Sequence, residues 1–171
     1  MTATNQNAKE LFNAGMGEFV NNNYENSIEL LTEALDRDPN FKLALIGRGS
    51  AYLKLERLTE ARADFDRAIE IDRRYARAFH LRGLVNEKLG NDAAAFEDFD
   101  RAIAIDPEYG AAYYSRSALH AKMSNEDEAL ADIQTATQLG SLNLEKYMNS
   151  ANVWQTQHMQ FEEAIGTELE R

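Results

Sequence analysis

No cysteine occurs anywhere in this 171-residue chain, and it holds only two prolines and one tryptophan. The missing thiols exclude disulfides, thiolate metal sites and cysteine nucleophiles. With proline confined to Pro39 and Pro107, long stretches are left in which nothing forces a helix to stop. Consecutive β-branched residues are nearly absent, which disfavours strands. No apolar run approaches the roughly 18 residues that a membrane span needs. Met1 to Asn7 are polar and unlike a signal peptide. These absences lead to the expectation of a cytoplasmic protein that does not engage a membrane.

Positive charge is also scarce. Against 29 Asp and Glu stand only 18 Lys and Arg, a formal net charge of −11. Such a balance repels a polyphosphate backbone, so nucleic acid is not an expected partner. The remaining composition, 44% hydrophobic and 27% charged, is that of a folded domain with a real core.

What the chain does have is a 34-residue period. Ala34, Ala68, Ala102 and Ala136 fall in one column. Gly15, Gly49 and Gly83 form another, continued by Ser117 and Ala151. Leu31, Phe65, Phe99 and Ile133 form a third, and Leu11, Leu45, Phe79, Tyr113 and Tyr147 a fourth. Ser27, Ala61, Ala95 and Ala129 complete a fifth.

Within each period the spacing is helical. In the third unit, Phe79, Gly83 and Leu84 mark one stripe and Ala95, Phe99, Ala102 and Ile103 a second. Between them, Leu89-Gly90-Asn91-Asp92 reads as a turn, with Gly90 suited to positive φ and Asn91 or Asp92 placed to cap the next helix. Ile105-Asp106-Pro107 ends the second helix. Ser124-Asn125-Glu126-Asp127 resembles a capping box. Two antiparallel helices come close only where side-chain bulk is missing, which accounts for the glycine and alanine columns. One hairpin cannot bury its own stripe, so the units must stack.

On these columns the chain resembles the tetratricopeptide repeat family, whose 34-residue unit carries a large apolar residue at position 4, glycine at 8, tyrosine at 11, alanine at 20, phenylalanine at 24, alanine at 27 and proline at 32. Phe79, Gly83, Ala95, Phe99, Ala102 and Pro107 carry the match in the third unit, and Leu45, Gly49, Tyr52, Ala61, Phe65 and Ala68 in the second. The resemblance implies an all-α, right-handed α-solenoid of antiparallel helix pairs, with four full repeats and a partial C-terminal capping repeat. The expected division is a flexible tail over 1–7 and a single domain over 8–171. Its repeats fall at about 8–41, 42–75, 76–109, 110–143 and, in part, 144–171. Departures are Arg73 and Ser141 at proline positions, and Glu18, Asn86 and His120 at the position-11 tyrosine. The last unit's second helix is expected over 161–170, with Gln160, Glu162, Glu163, Glu168 and Glu170 toward water, as in an end repeat.

The family lines its concave surface with the first helix of each unit. Carried over, that groove comprises Lys9, Phe12 and Met16, with Phe19 beyond; Ile46, Ser50, Leu53 and Lys54; Arg77, His80, Leu84 and Lys88; and Tyr114, Ala118 and Lys122. The implied partner is another protein, held through a helix or extended segment with apolar anchors and some acidic residues. Packing between repeats is the alternative role of Phe12, Phe19 and Leu53. Lys54, Lys88 and Lys122 either form a rail for acidic groups or complement helix C-termini. Arg48, Arg82 and Arg116 should pair with Asp64, Asp98 and Asp132 of their own hairpins. Family members that grip a terminal carboxylate do so with lysine, asparagine and arginine at positions that here hold Phe12, Met16, Gly47, Arg77 and Leu81. Only Arg77 fits, so that clamp is absent.

Nothing suggests an enzyme, a metal or a cofactor. His80, His120 and His158 are far apart and lack i, i+4 spacing. The carboxylates of Asp64/Asp66 and Asp98/Asp100 diverge on a helix. Gly15-Met16-Gly17 and Gly47-Arg48-Gly49 follow no strand and cannot be phosphate loops. The expected function is a protein–protein interaction adaptor. The alternative is a self-assembling homo-oligomeric scaffold, with Phe41, Tyr75 and Tyr109 at the repeat junctions as contact candidates.

Overall fold

The structure, a computed structural model, describes the backbone of residues 3–150 and the side chains of residues 7–142. The chain forms α1 (Ala3–Val20), α2 (Tyr24–Arg37), α3 (Lys42–Lys54), α4 (Leu58–Ile71), α5 (Ala76–Lys88), α6 (Asp92–Ile105), α7 (Gly110–Lys122) and α8 (Glu126–Ser150). No strand occurs among the described residues. Sequential helices pair as hairpins, α1 with α2 through α7 with α8, and each hairpin packs on the next. The odd-numbered helices also touch one another along the stack, α1–α3–α5–α7, whereas among the described residues no two even-numbered helices do. The stack therefore bends with the odd helices inside, and these form the concave wall of an all-helical repeat.

The packing follows the columns. Leu31, Phe65 and Phe99 are fully buried at the third column, and Ala34, Ala68 and Ala102 at the first. Each large side chain lies against the small residue of its partner helix. A Cβ on Gly83 would meet Phe99 Cε1 at 2.5 Å, and one on Gly49 would meet Phe65 Cε1 at 2.6 Å. Burying each phenylalanine contributes about 2–3 kcal/mol. In the fourth hairpin Ser117 replaces the glycine, and the facing residue is the smaller Ile133.

The turns inside the hairpins share one left-handed residue: Asn22 (φ 63), Glu56 (φ 58), Gly90 (φ 77) and Ser124 (φ 62). Glycine does this without strain; the other three bear a modest cost. The capping readings need correction. Asn91 is the N-cap of α6, yet its side chain makes no capping bond. Ser124 holds the left-handed position and α8 begins at Glu126, so the tetrad is not a capping box. Turns between hairpins rest on aspartate. Asp38, Asp72 and Asp106 each accept, at Oδ1, the backbone N–H two residues on, from Asn40, Arg74 and Glu108. That Asx-type turn explains how Arg73 stands in for proline.

The two ends of the chain differ from the sequence-based boundaries. Helix α1 begins at Ala3, within the stretch expected to precede the domain. At the other end, Gly140 and Ser141 occupy the places of the turn aspartate and proline. With neither device present, α8 continues through the expected boundary at 143–144 to Ser150. The rest of the fifth unit, including the helix expected over 161–170, lies outside the described residues.

Candidate functional site

Among the described residues, α5 has a cleft on either side of it. The first, of ≈ 500 Å³, gathers Ser50, Leu53 and Lys54 from α3 with Leu84 and Lys88 from α5. These are five of the fourteen groove positions expected from the sequence. Phe19, Glu56, Leu81 and Glu87 complete its lining. Phe19 is braced edge-on by Tyr24, ring centroids 5.4 Å apart. The floor is apolar and half-buried, with Phe19, Leu53, Leu81 and Leu84 presenting carbon toward the opening.

The second cleft, of ≈ 650 Å³, lies between α5, α7 and α8 and is lined by His80, Tyr109, Gly110, Tyr114, Ala136 and Gly140, among others. Tyr114 is 67% exposed, and Arg77 and Ala118 are exposed on the same wall. Lys9 is exposed near the N-terminal end. Phe12 and Met16 are half-buried against the first core cluster. The Phe12 ring sits 5.0 Å from that of Phe41, so packing between repeats occupies much of both side chains.

Two groove assignments are corrected. Ile46 is 3% exposed and belongs to the core of the first two hairpins, so no ligand reaches it. Its register equivalents face the same way, but each is covered to a different degree by the next hairpin. His80 is the second: it is 7% exposed, with Nδ1 3.1 Å from the Tyr109 hydroxyl and Nε2 2.9 Å from Ser115 Oγ. A neutral imidazole satisfies both contacts, one as acceptor and one as donor. Burial, with a smaller push from Arg77, lowers its pKa to about 4. His80 therefore braces the third hairpin against the fourth.

The lysine ladder is mostly structural. Lys54, Lys88 and Lys122 each close an odd helix, where a cation complements the dipole. Lys88 Nζ also lies 3.0 Å from Glu56, and Lys122 Nζ 2.7 Å from Asp92. Lys54 stands at the rim of the first cleft.

The arginine ladder pairs as the sequence implies: Arg48 with Asp64 at 2.7 Å, Arg82 with Asp98 at 2.6 Å and Arg116 with Asp132 at 2.7 Å. These aspartates are buried, so the pairs are not exposed surface bridges. The hydrogen bonds to aspartate raise all three guanidinium pKa values. What the sequence reading missed is a second link. Arg82 Nη1 reaches Asp66 of the preceding hairpin at 2.7 Å, and Arg116 Nη1 reaches Asp100 at 2.6 Å. The divergence that prevents Asp64/Asp66 from acting as an acid–base pair sends one carboxylate to each of two repeats. The position-11 departures join the same system: Asn86 Nδ2 donates to Asp98 at 2.9 Å, and His120 Nε2 lies 3.9 Å from Asp132.

Phe41, Tyr75 and Tyr109 are half-buried. Phe41 packs on Phe12, Tyr75 lies under Lys42 Nζ at 4.3 Å, and Tyr109 packs edge-on to His80. Each fills a junction within the chain. Among the described residues no group of three or more His, Asp or Glu side chains is placed to hold a metal ion. Nor is any helix among them long and apolar enough to cross a membrane.

Stacked hairpins with a concave, partly apolar wall define a helical-repeat protein, and comparison with known proteins specifies which kind. Tetratricopeptide repeat family models match residues 12–76 and 76–109. The chain belongs to the tetratricopeptide repeat family. It is 34% identical over 78 residues to RNA polymerase II-associated protein 3 of Rattus norvegicus, covering 46% of this chain and 12% of that one. Over 79 residues it is 32% identical to serine/threonine-protein phosphatase 5 of the same organism, covering 46% and 16%. The chain thus spans only a small fraction of these relatives. Among solved structures, MamA superimposes with a TM-score of 0.72 at 24% identity, over 81% of each chain. The second TPR of Spaghetti bound to the HSP90 peptide SRMEEVD gives 0.58 at 32% identity, over 60% of this chain and 94% of that one.

Proposed function

We propose that this protein is an interaction adaptor that seats a segment of a partner protein in the cleft between α1, α3 and α5. The observation that carries this reading is the cleft's lining: four apolar side chains, Phe19, Leu53, Leu81 and Leu84, in an opening of ≈ 500 Å³ with Lys54 at the rim. An apolar floor with a few charged groups at its edge suits one or two anchor side chains of a helix or extended segment. Lys54 would favour an acidic residue beside the anchor. The similarity to the Spaghetti repeat, which is bound to an HSP90 peptide, supports a protein ligand for this class of groove.

A carboxylate-terminated peptide gripped as in the family's clamp is not the ligand proposed. Phe12, Met16, Gly47 and Leu81 supply no charge where that grip needs it, and Met16 packs over Gly47, its Sδ 2.8 Å from where a glycine Cβ would be. The test is a pull-down with the intact chain against a Leu53→Glu/Leu84→Glu variant of unchanged helicity. A protein retained by the first and lost by the second supports the cleft. Equal retention by both moves the site elsewhere.

A further inference from the structure

A third cleft, of ≈ 440 Å³, opens on the outer side of the stack, where α4 and α6 flank α5. Three arginines line it: Arg73 from the turn after α4, Arg82 from α5 and Arg101 from α6, beside Asp66 and Glu70. These charges are not equally committed. Arg82 spends all three guanidinium nitrogens on Asp98 and Asp66, and Glu70 is held by Arg67 at 2.8 Å. Arg73 and Arg101 are exposed and have no acidic partner among the described residues. Arg101 lies over the Phe79 ring, 5.9 Å from its centroid.

The fold does not call for either arginine. Asp72, just before Arg73, has φ −142° and ψ 96°. Asp38 (−138°, 91°) and Asp106 (−135°, 93°) share that backbone, and proline follows each of them. Arg101 has Arg67 as its register equivalent one hairpin earlier and Thr135 one hairpin later. Arg67 donates across its junction to Asn40 Oδ1 at 3.1 Å. The position corresponding to Asn40 beside Arg101 is Arg74, whose side chain accepts nothing. Only the junction of the second and third hairpins thus brings two uncommitted arginines to one cleft.

We propose that this cleft is a second docking site, for an acidic segment of a partner protein that sets a carboxylate against Arg73 and Arg101 and an apolar neighbour on Ile69. Planar guanidinium forks match carboxylate oxygens two by two. Charge sets the class of ligand. Three arginines against two carboxylates leave the lining one positive charge, which balances a carboxylate. It is too little to draw a polyphosphate or an anionic membrane to a chain of net charge −11. The site lies across the stack from the concave cleft, so the two are tested separately.

Short random peptides displayed on phage are selected on the intact chain. Each enriched peptide is then measured by anisotropy on the parent, on Arg73→Pro/Arg101→Gln and on Leu53→Glu/Leu84→Glu. Proline suits the turn and glutamine keeps part of the stem over Phe79, so Arg73→Pro/Arg101→Gln should melt like the parent. Acidic peptides should bind it at least about tenfold more weakly, bind Leu53→Glu/Leu84→Glu unchanged, and weaken with added salt. Arg73→Lys/Arg101→Lys, which keeps the charge without the fork, should fall between. Equal binding of every enriched peptide to the parent and to Arg73→Pro/Arg101→Gln would overturn the proposal, whatever happens at the concave cleft. Failure to enrich acidic peptides would overturn it too. So would binding of inorganic polyphosphate or phosphatidylserine vesicles that Arg73→Pro/Arg101→Gln abolishes.

Discussion

Arg82 grips Asp98 with two nitrogens, Nη2 to Oδ1 at 2.6 Å and Nε to Oδ2 at 3.0 Å, while its remaining Nη1 holds Asp66 one hairpin back. A single side chain thus ties the two helices of the third hairpin together and ties that hairpin to the second. Arg116 repeats the arrangement with Asp132 and Asp100. Arg48 binds Asp64 but finds Thr32 Oγ1, 3.1 Å away, where an aspartate would stand.

Asp98→Ala leaves Arg82 with Asp66 alone and takes the acceptor from the buried Asn86 amide. It should destabilise the chain by about 1–3 kcal/mol, measured as a shift of the urea unfolding midpoint. The Arg67–Glu70 pair is exposed on both sides, and Glu70→Ala should cost under about 0.5 kcal/mol. Equal losses for the two would refute the distinction.

Two glycines make opposite predictions. At Gly83 a methyl group collides with Phe99 Cε1 at 2.5 Å, so Gly83→Ala should destabilise by about 1–3 kcal/mol through overpacking. At Gly17, exposed on α1, a Cβ meets nothing within 4 Å. Gly17→Ala should stabilise by about 0.4–1 kcal/mol by restricting the unfolded chain. Thermal melts of both variants decide the matter.

His80 predicts a pH dependence. Its pKa falls from 6.5 to about 4 on folding, so between those values the unfolded chain binds the proton and the folded chain does not. Stability from this group is fully present above pH 6.5 and is lost as pH falls toward 4. The reading is a difference between parent and variant, which cancels every ionisable group the two share. His80→Gln should lose less stability than the parent between pH 7 and pH 5, by about 1–2 kcal/mol. Parallel curves for the two proteins would contradict the assignment.

A fluorescently labelled SRMEEVD peptide should show no saturable binding in anisotropy. The positions that face such a carboxylate in the family clamp hold Phe12, Met16, Gly47, Arg77 and Leu81, a single cation among apolar side chains. Micromolar binding that responds to Arg77→Ala would show that the groove reads carboxylates after all.

Column residues such as Gly83 and Phe99 announced both their partners and their spacing, because a close helix crossing accepts few side-chain combinations. The groove was less legible. Ile46, His80 and Tyr114 occupy one register position, yet they range from buried to 67% exposed. Burial there depends on what the next hairpin lays over each residue, and a one-chain periodicity does not encode that cover. The cross-repeat links of Asp66 and Asp100 were hidden for a related reason: they join hairpins whose relative placement only packing decides. The run-on of α8 did have a signal, Gly140 and Ser141 in place of aspartate and proline, but it became readable only once Asp38, Asp72 and Asp106 were seen to make the turns.

The central claim, that a partner segment lies on the concave wall, is tested most directly by methyl NMR of the chain titrated with the captured partner. Seating in the first cleft predicts that the methyl signals of Leu53, Leu81 and Leu84 shift together and saturate with one affinity, while those of Leu130 and Ile133 on α8 stay in place. Saturable shifts confined to α8, or to the outward faces of α2, α4 and α6, with Leu53 and Leu84 unmoved, would contradict it.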